Sequence, residues 1–243
     1  MAPERPSERP SERRSAARTS VVWDALRPAV EGATDVLDIG GGTGGFAVRV
    51  AELGARVTVV DPSPDALAAL GRRARELDVA VEGLQGDLST LLEVVEPESA
   101  DVVLCHGVLE VVDDAAAALT TLRTVLRPGG VLSLLVAQRH AAVVARAMAG
   151  HFGQAHALLD AAPGTRDGRS GVRFTADELT DLVSGAGFET TAMHGVRVFA
   201  DLVPGSLLDL EPGSTGALVE LERAVASRPE YFPLAAQLHF LAR

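Results

Sequence analysis

Lysine is absent from this chain. All 22 basic residues are arginine, set against 33 acids, and the formal net charge is −11. A balance that acidic argues against broad, non-specific binding to nucleic acid, although a local cluster of arginines can still hold a phosphate backbone. Cysteine is almost absent too. Cys105 alone permits neither an intramolecular disulfide nor a cysteine-cluster zinc site, a usage that fits a reducing cytoplasm, and no metal is expected. Although 47% of the residues are hydrophobic, no uninterrupted apolar run approaches the roughly 20 residues that cross a bilayer. A soluble protein without membrane contact is the expectation. Residues 1–17 repeat Glu-Arg-Pro-Ser and contain no apolar segment, so they read as a disordered tail rather than a leader or an anchor. What remains, 18–243, suits one α/β domain carrying an insertion, and would be cramped for two.

The pattern that is present alternates strands with helices. Val21 to Val30, with Trp23 and Leu26 at helical spacing, predicts a helix over the first strand, Thr34 to Ile39. A glycine loop, Gly40 to Gly45, leads into a helix from Phe46 to Leu53. Then come a strand Arg56–Asp61, a helix capped by Ser63, a strand Val79–Leu84, and a strand Ala100–Cys105. Asp113 and Asp114 open a helix to Leu126, and Arg127-Pro128-Gly129-Gly130 turns into a fifth strand, Val131–Val136. This rhythm implies a doubly wound, mostly parallel sheet, whose ligands sit outside the carboxyl ends of the strands. Asp38, Asp61, Asp87 and His106 all fall at such ends. Beyond Ala137 the rhythm changes: a long helix Arg139–Leu159, a mobile loop Ala161–Val172, a helix opened by Thr175 and Glu178, strand structure within Phe188–Phe199, a helix Ser214–Ala226 and a strand Ala235–Leu241. Residues 139–174 form the predicted lid or substrate insertion.

Gly40-x-Gly42-x-x-Gly45 satisfies a dinucleotide fingerprint by count, and Gly40 and Gly42 let the backbone approach a ligand closely. Asp38 argues for a different ligand. A carboxylate two residues before the first glycine opposes a pyrophosphate and suits a cation, and S-adenosylmethionine carries an ammonium and a sulfonium but no phosphate. Asp61, at the end of the second strand, stands where an acid accepts ribose hydroxyls, a role common to both cofactors. Asp87 is placed either to accept from an adenine amino group or to cap a helix before Leu88-Ser89.

Together, Val36-Leu37-Asp38-Ile39-Gly40-Gly41-Gly42-Thr43-Gly44, Val60-Asp61, Gly86-Asp87 and Leu126-Arg127-Pro128-Gly129-Gly130 resemble the motif series of class I S-adenosylmethionine-dependent methyltransferases. That resemblance implies a Rossmann-like, seven-stranded sheet. A narrower one is to bacterial tRNA 5-carboxymethoxyuridine methyltransferases. It is carried by Arg18 five residues before Trp23, His106-Gly107-Val108-Leu109-Glu110, Gly195-Val196-Arg197-Val198-Phe199 followed by Asp201, Glu220-Leu221-Glu222 and the late His239. It implies cofactor contacts from Arg18, Gly40, Gly41, Asp61, Gly86 and His106, with Arg18 on the methionine carboxylate. Asp38, Gly42 and Asp87 join them from the reading of the residues.

An acceptor carboxylate is already ionised at neutral pH and needs an anion holder rather than a base. Arg197 and Arg139 are the candidates, each beside an apolar element where a lone guanidinium is costly. A hydroxyl or amine acceptor needs a base, which His106 or His140 could supply. Three functions stay open: a carboxylate O-methyltransferase acting on tRNA, a small-molecule O- or N-methyltransferase, and a non-catalytic module that binds the cofactor. The family resembled commonly has a lysine-rich loop where this chain has Thr165-Arg166-Asp167-Gly168-Arg169-Ser170.

Overall fold

The computed structural model describes residues 10–208 and 213–243, without the side chains of residues 10–18, 169, 205 and 206. Seven strands form one sheet: β1 (Asp35–Ile39), β2 (Arg56–Asp61), β3 (Val81–Gln85), β4 (Ala100–His106), β5 (Leu126–Ala137), β6 (Thr190–Val196) and β7 (Gln237–Ala242). Their order is β3-β2-β1-β4-β5-β7-β6, with β7 antiparallel to both neighbours and the other pairs parallel. The chain order reverses between β1 and β4, and a crevice opens there at the carboxyl ends.

Both faces of the sheet are covered, so the central strands are apolar on alternate residues to either side. Leu37, Ile39, Val60, Val103 and Cys105 join one core layer with α5 (Ala115–Val125) and α8 (Ala176–Gly185). Val36, Val57, Val59, Val102 and Leu104 join the other, under α1 (Pro10–Val30), α2 (Ala47–Ala51) and α3 (Pro64–Glu76). Cys105 is buried in the first layer, where burial pushes its thiol up and leaves it inert.

At the end of the sheet opposite the crevice, Arg127 ties three strands together. It donates to Asp35 at 2.8 Å and to Asp101 at 2.7 Å, while Asp101 also accepts from the backbone N–H groups of Thr34 and Asp35. The Arg127–Gly130 segment lies inside β5 as an irregularity in the β4–β5 register rather than as a turn before it. A Cβ on Gly130 would come within 3.1 Å of the Asp101 carbonyl oxygen, so this glycine allows the close passage.

Several boundaries differ from expectation. Residues 1–9 of the predicted tail lie outside the described residues, but 10–17 are helical, because α1 begins at Pro10, a residue well tolerated in a first helical turn. The helix after the glycine loop spans only Ala47–Ala51, too short to present an ordered N-terminal dipole to a ligand. The expected long helix from Arg139 is two helices, α6 (Arg139–Met148) and α7 (Phe152–Leu159), parted at Gly150 with φ +79°. The loop 161–172 contains a single 3₁₀ turn, Gly168–Ser170, and is held by ion pairs to Asp167 and by burial of Val172 in the first core layer. The capping box at Thr175 and Glu178 is present. Short helices α4 (Leu91–Val94) and α9 (Gly205–Leu208), with α10 (Ser214–Val225) and a 3₁₀ segment Pro229–Leu234, complete the elements. Among the described residues no helix is long and apolar enough to cross a membrane.

Candidate active site

A cleft of about 730 Å³ lies along the carboxyl ends of β1, β2 and β4. Gly40, Asp61, Asp87 and His106, all predicted for the site, line it together with Pro62, Ser89, Val108 and residues Val111 to Asp114. Under its floor the chain turns through Gly40, Gly42 and Gly44, each with positive φ, and the Gly40 N–H is anchored to the Val60 carbonyl at 2.8 Å. Gly41 is required for another reason: a Cβ there would fall 2.6 Å from Asp38 Oδ2 and 2.9 Å from Val59. The carboxylate of Asp38 is thus packed directly against the loop backbone.

Asp38 is 3% exposed. Burial, and then the charge of Asp61, push its carboxyl up to about 7. Two acids set this close in a dry site favour a cation and repel a phosphate. Asp61 is oriented by its own surroundings, accepting from the Gly42 N–H and the Ser63 N–H, both at 2.9 Å. Gly86 does not line the cleft; its N–H reaches the Asp61 carbonyl at 3.3 Å and supports that strand end. Asp87 Oδ1 accepts from the Ser89 hydroxyl at 2.6 Å and from the Ser89 N–H at 2.8 Å, and these bonds hold its carboxyl below the usual range. The turn it closes precedes α4, so the capping expected of Asp87 applies to a turn and not to a helix starting at Leu88. Arg18 belongs to α1, but its side chain lies outside those described.

His106 forms the wall at the end of β4. Its Nε2 lies 2.9 Å from Ser133 Oγ, its ring meets Phe46 edge-on at 5.0 Å, and burial lowers it to about 4. Phe46 in turn packs near Trp23, over which Arg49 is stacked at 3.9 Å. The predicted α1 aromatic therefore braces the cleft wall through one intermediate ring.

A second pocket, about 390 Å³, lies where β5 ends and β7 begins. Arg146, Arg173 and Arg197 line it, with Gln237 and Asp201. Arg197 stands in the left-handed region, φ +60°, where a non-glycine residue is strained. Glu222 imposes that geometry: fully buried on α10, its carboxylate accepts from the N–H groups of Val198, Phe199 and Ala200 at 2.7 to 2.9 Å. Arg197 itself pairs with Asp201 and donates to Gln237 at 3.4 Å, while its buried Nε has no hydrogen-bond partner among the described residues.

Arg139 is placed differently from expectation. It is 8% exposed, lines neither pocket, and donates to Glu178 at 2.8 Å and to the Arg173 carbonyl at 3.1 Å. A guanidinium at the start of α6 finds its carboxylate in the capping box of α8, so its role is to join those helices.

Sequence reasoning missed Arg146 as a lining residue, and it missed Asp167, which accepts from both Arg146 and Arg173. Burial pushes the Asp167 carboxyl up, but the two guanidinium bonds outweigh it and hold it below the usual range. It also missed Glu110. This carboxylate, 5% exposed, accepts from the Ala137 N–H at 2.7 Å and so joins the segment after the cleft wall to the end of β5. Burial raises the Glu110 carboxyl despite the bonds it accepts. For Arg146 and Glu110 the signal available was a charged residue in an otherwise apolar stretch, and for Asp167 an acid between arginines, in no case with a spacing that names the partner. Among the described residues no group of three or more histidine, cysteine, aspartate or glutamate side chains is arranged to hold a metal ion.

A family profile described as a methyltransferase domain matches residues 37–134. The tRNA 5-carboxymethoxyuridine methyltransferase of Escherichia coli strain K12 is 31% identical over 216 residues, covering 86% of this chain and 79% of that protein. The chain belongs to the S-adenosylmethionine-dependent methyltransferases. A ubiquinone biosynthesis O-methyltransferase of Methylobacterium nodulans is 35% identical over 175 residues, 71% of this methyltransferase and 67% of that one. A crystal structure from Thermotoga maritima, described as a possible histamine N-methyltransferase, superposes with a TM-score of 0.60 over 96% of this chain and 93% of that one. At 21% identity that likeness concerns the fold alone.

The enzyme's cofactor is accordingly S-adenosylmethionine, and the residues present fit it. Asp61 lines the cleft and Asp38 lies buried behind the Gly41 backbone, so the wall beside the glycine loop carries acids that suit a cationic ligand and oppose a pyrophosphate.

Proposed function

We propose that this methyltransferase O-methylates a carboxylate, and that the carboxylate belongs to a modified uridine in tRNA. The observation that carries the first half is the convergence of Arg146, Arg173 and Arg197 on one pocket next to the end of β5. Bound S-adenosylmethionine supplies an activated methyl group on a sulfonium. The protein's part is positional: guanidinium groups orient the acceptor's two oxygens, and apolar walls from α6 exclude water. Arg197, strained in its backbone and lining this pocket beside Asp201 and Gln237, is the group we assign to the acceptor carboxylate.

The state of His106 supports an acceptor that is ionised without help. A ring lowered to about 4 by burial and bonded through Nε2 to Ser133 is a poor base at neutral pH. A hydroxyl or amine acceptor would need a better one. The tRNA reading rests on the name of the Escherichia coli relative and on the length over which the two chains match. Arg166 and Arg173, in and just after the loop where the resembled family has lysines, are paired with Asp113 and Asp167, which reduces the charge they could offer RNA. Small-molecule O-methylation, as named for the Methylobacterium relative, is the second reading.

The test is partition of label. The protein is incubated with methyl-labelled S-adenosylmethionine and separate RNA and small-molecule fractions from cells lacking it. Counts in the tRNA fraction are expected; counts confined to small molecules would leave the carboxylate chemistry standing and remove tRNA.

A further inference from the structure

Four polar side chains cross the interior of the sheet in a row: His106 on β4, Ser133 on β5, His239 on β7 and His194 on β6. Ser133 and His239 are both fully buried. Ser133 Oγ lies 2.9 Å from His106 Nε2 and 2.8 Å from His239 Nε2, and His194 stacks on His239 with centroids 5.4 Å apart. Burial keeps all three rings neutral, and for His239 the neighbouring His106 and His194 add to the effect.

Proton counting limits what this row can do. A neutral imidazole has one N–H and one bare nitrogen, and a hydroxyl has one hydrogen. Ser133 can donate to only one of the two Nε2 atoms, so the other ring must donate to Ser133. Either His106 is the Nδ1–H tautomer and His239 the Nε2–H tautomer, or the reverse; the rings switch together. The Nδ1 atoms of both rings are buried without a partner among the described residues, so each arrangement leaves one N–H unsatisfied, at the cost of its lost solvation. The two costs differ once a ligand binds. Both Nδ1 atoms are covered in the ligand-free chain, but His106 stands in the cleft wall, where a bound molecule would supply the missing acceptor, whereas His239 is enclosed in the sheet.

We infer that Ser133 and His239 are positioning residues, which hold His106 as the Nδ1–H tautomer and make it a hydrogen-bond donor to an acceptor atom of bound S-adenosylmethionine. His239 Nε2–H donates to Ser133, Ser133 donates to His106 Nε2, and the remaining proton of His106 points away from the relay. His106 then cannot double as a base through that nitrogen, which agrees with an acceptor that arrives ionised. The inference rests on reading His106 as a cofactor contact.

The experiment uses full-length protein with ¹⁵N-labelled histidine, whose long-range ¹H–¹⁵N spectra separate the two tautomers, recorded with and without S-adenosylhomocysteine. In the complex His106 is expected as Nδ1–H and His239 as Nε2–H. Ser133→Ala should mix the His106 tautomers and weaken S-adenosylhomocysteine binding about three- to tenfold, the effect of one neutral hydrogen bond. His239→Gln, whose amide nitrogen can replace Nε2–H, should retain both properties, and His239→Leu should lose them. His106 as Nε2–H in the complex, or equal behaviour of the Gln and Leu variants, would overturn the relay. If a variant does not fold, the wild-type spectrum alone decides. Absence of any binding by calorimetry would instead remove the contact on which the relay is built.

Discussion

Asp38 is the residue on which the cofactor argument turns, and its titration makes it testable. Its carboxyl sits at about 7 in the folded chain against 3.8 when unperturbed, so between those values the folded state binds more protons than the unfolded one. Its contribution to stability is therefore fully present below about pH 4 and is lost as pH rises through 7. The ionised form costs on the order of 4 kcal/mol. Asp38→Asn should raise the denaturation midpoint of the ligand-free protein at pH 8 and leave it little changed at pH 4, while abolishing cofactor binding. Parallel pH–stability curves for the two proteins would show that Asp38 is not the strained acid described. Binding of a cation beside Asp38 should also strengthen as pH rises to 7 and then level off, which calorimetry across that range reads directly.

The two arginines singled out from sequence separate at the same scale. Arg197→Ala should raise the acceptor KM about ten- to hundredfold, the range for a lost charge-assisted bond, with thermal stability nearly unchanged. Arg139→Ala should do the opposite, costing about 3 kcal/mol of stability by leaving the Glu178 carboxylate without its guanidinium partner. Sequence could place both beside apolar elements. It could not distinguish them, because what decides is a long-range partner: Glu178 lies 39 residues from Arg139.

At the level of elements, the insertion is joined to both pockets by charge. Arg166 donates to the Val111 and Val112 carbonyls and to Asp113 at the cleft, while Asp167 binds Arg146 and Arg173 at the second pocket. Asp167 thus occupies two of the arginines that an acceptor carboxylate would use. Asp167→Asn should tighten binding of a carboxylate acceptor and speed trypsin cleavage within 164–171. Unchanged cleavage would mean that the loop is held by something other than this acid. Strand patterns, the Ser63 and Asp114 caps and the Thr175 capping box were legible locally, since each depends on residues within one turn. The break of the long helix at Gly150 and the irregularity at Arg127–Gly130 were not, because the first competes with a continuous apolar pattern and the second depends on Asp35 and Asp101.

For the whole molecule, alternation of strands and helices disclosed a doubly wound sheet, and the family resemblance added seven strands. The position of β7 between β5 and β6 follows from neither periodicity nor composition. That placement matters for function: it brings His239 beside Ser133 and Gln237 beside Arg197, so the final strand furnishes both the relay and part of the second pocket. The residues that line the cleft, Gly40, Asp61, Asp87 and His106, could be grouped from sequence because they lie in short motifs at strand ends. The second pocket draws on α6, Arg173, the segment after β6 and the start of β7, which only the folded chain assembles.

The central claim is that the methyl group is carried to a carboxylate oxygen. The product of methyl-labelled S-adenosylmethionine and the tRNA fraction should be treated with mild alkali, which hydrolyses a methyl ester and leaves N-methyl and ether O-methyl groups intact. Release of the label as volatile methanol is predicted; label that stays on the nucleoside through the treatment would contradict the account.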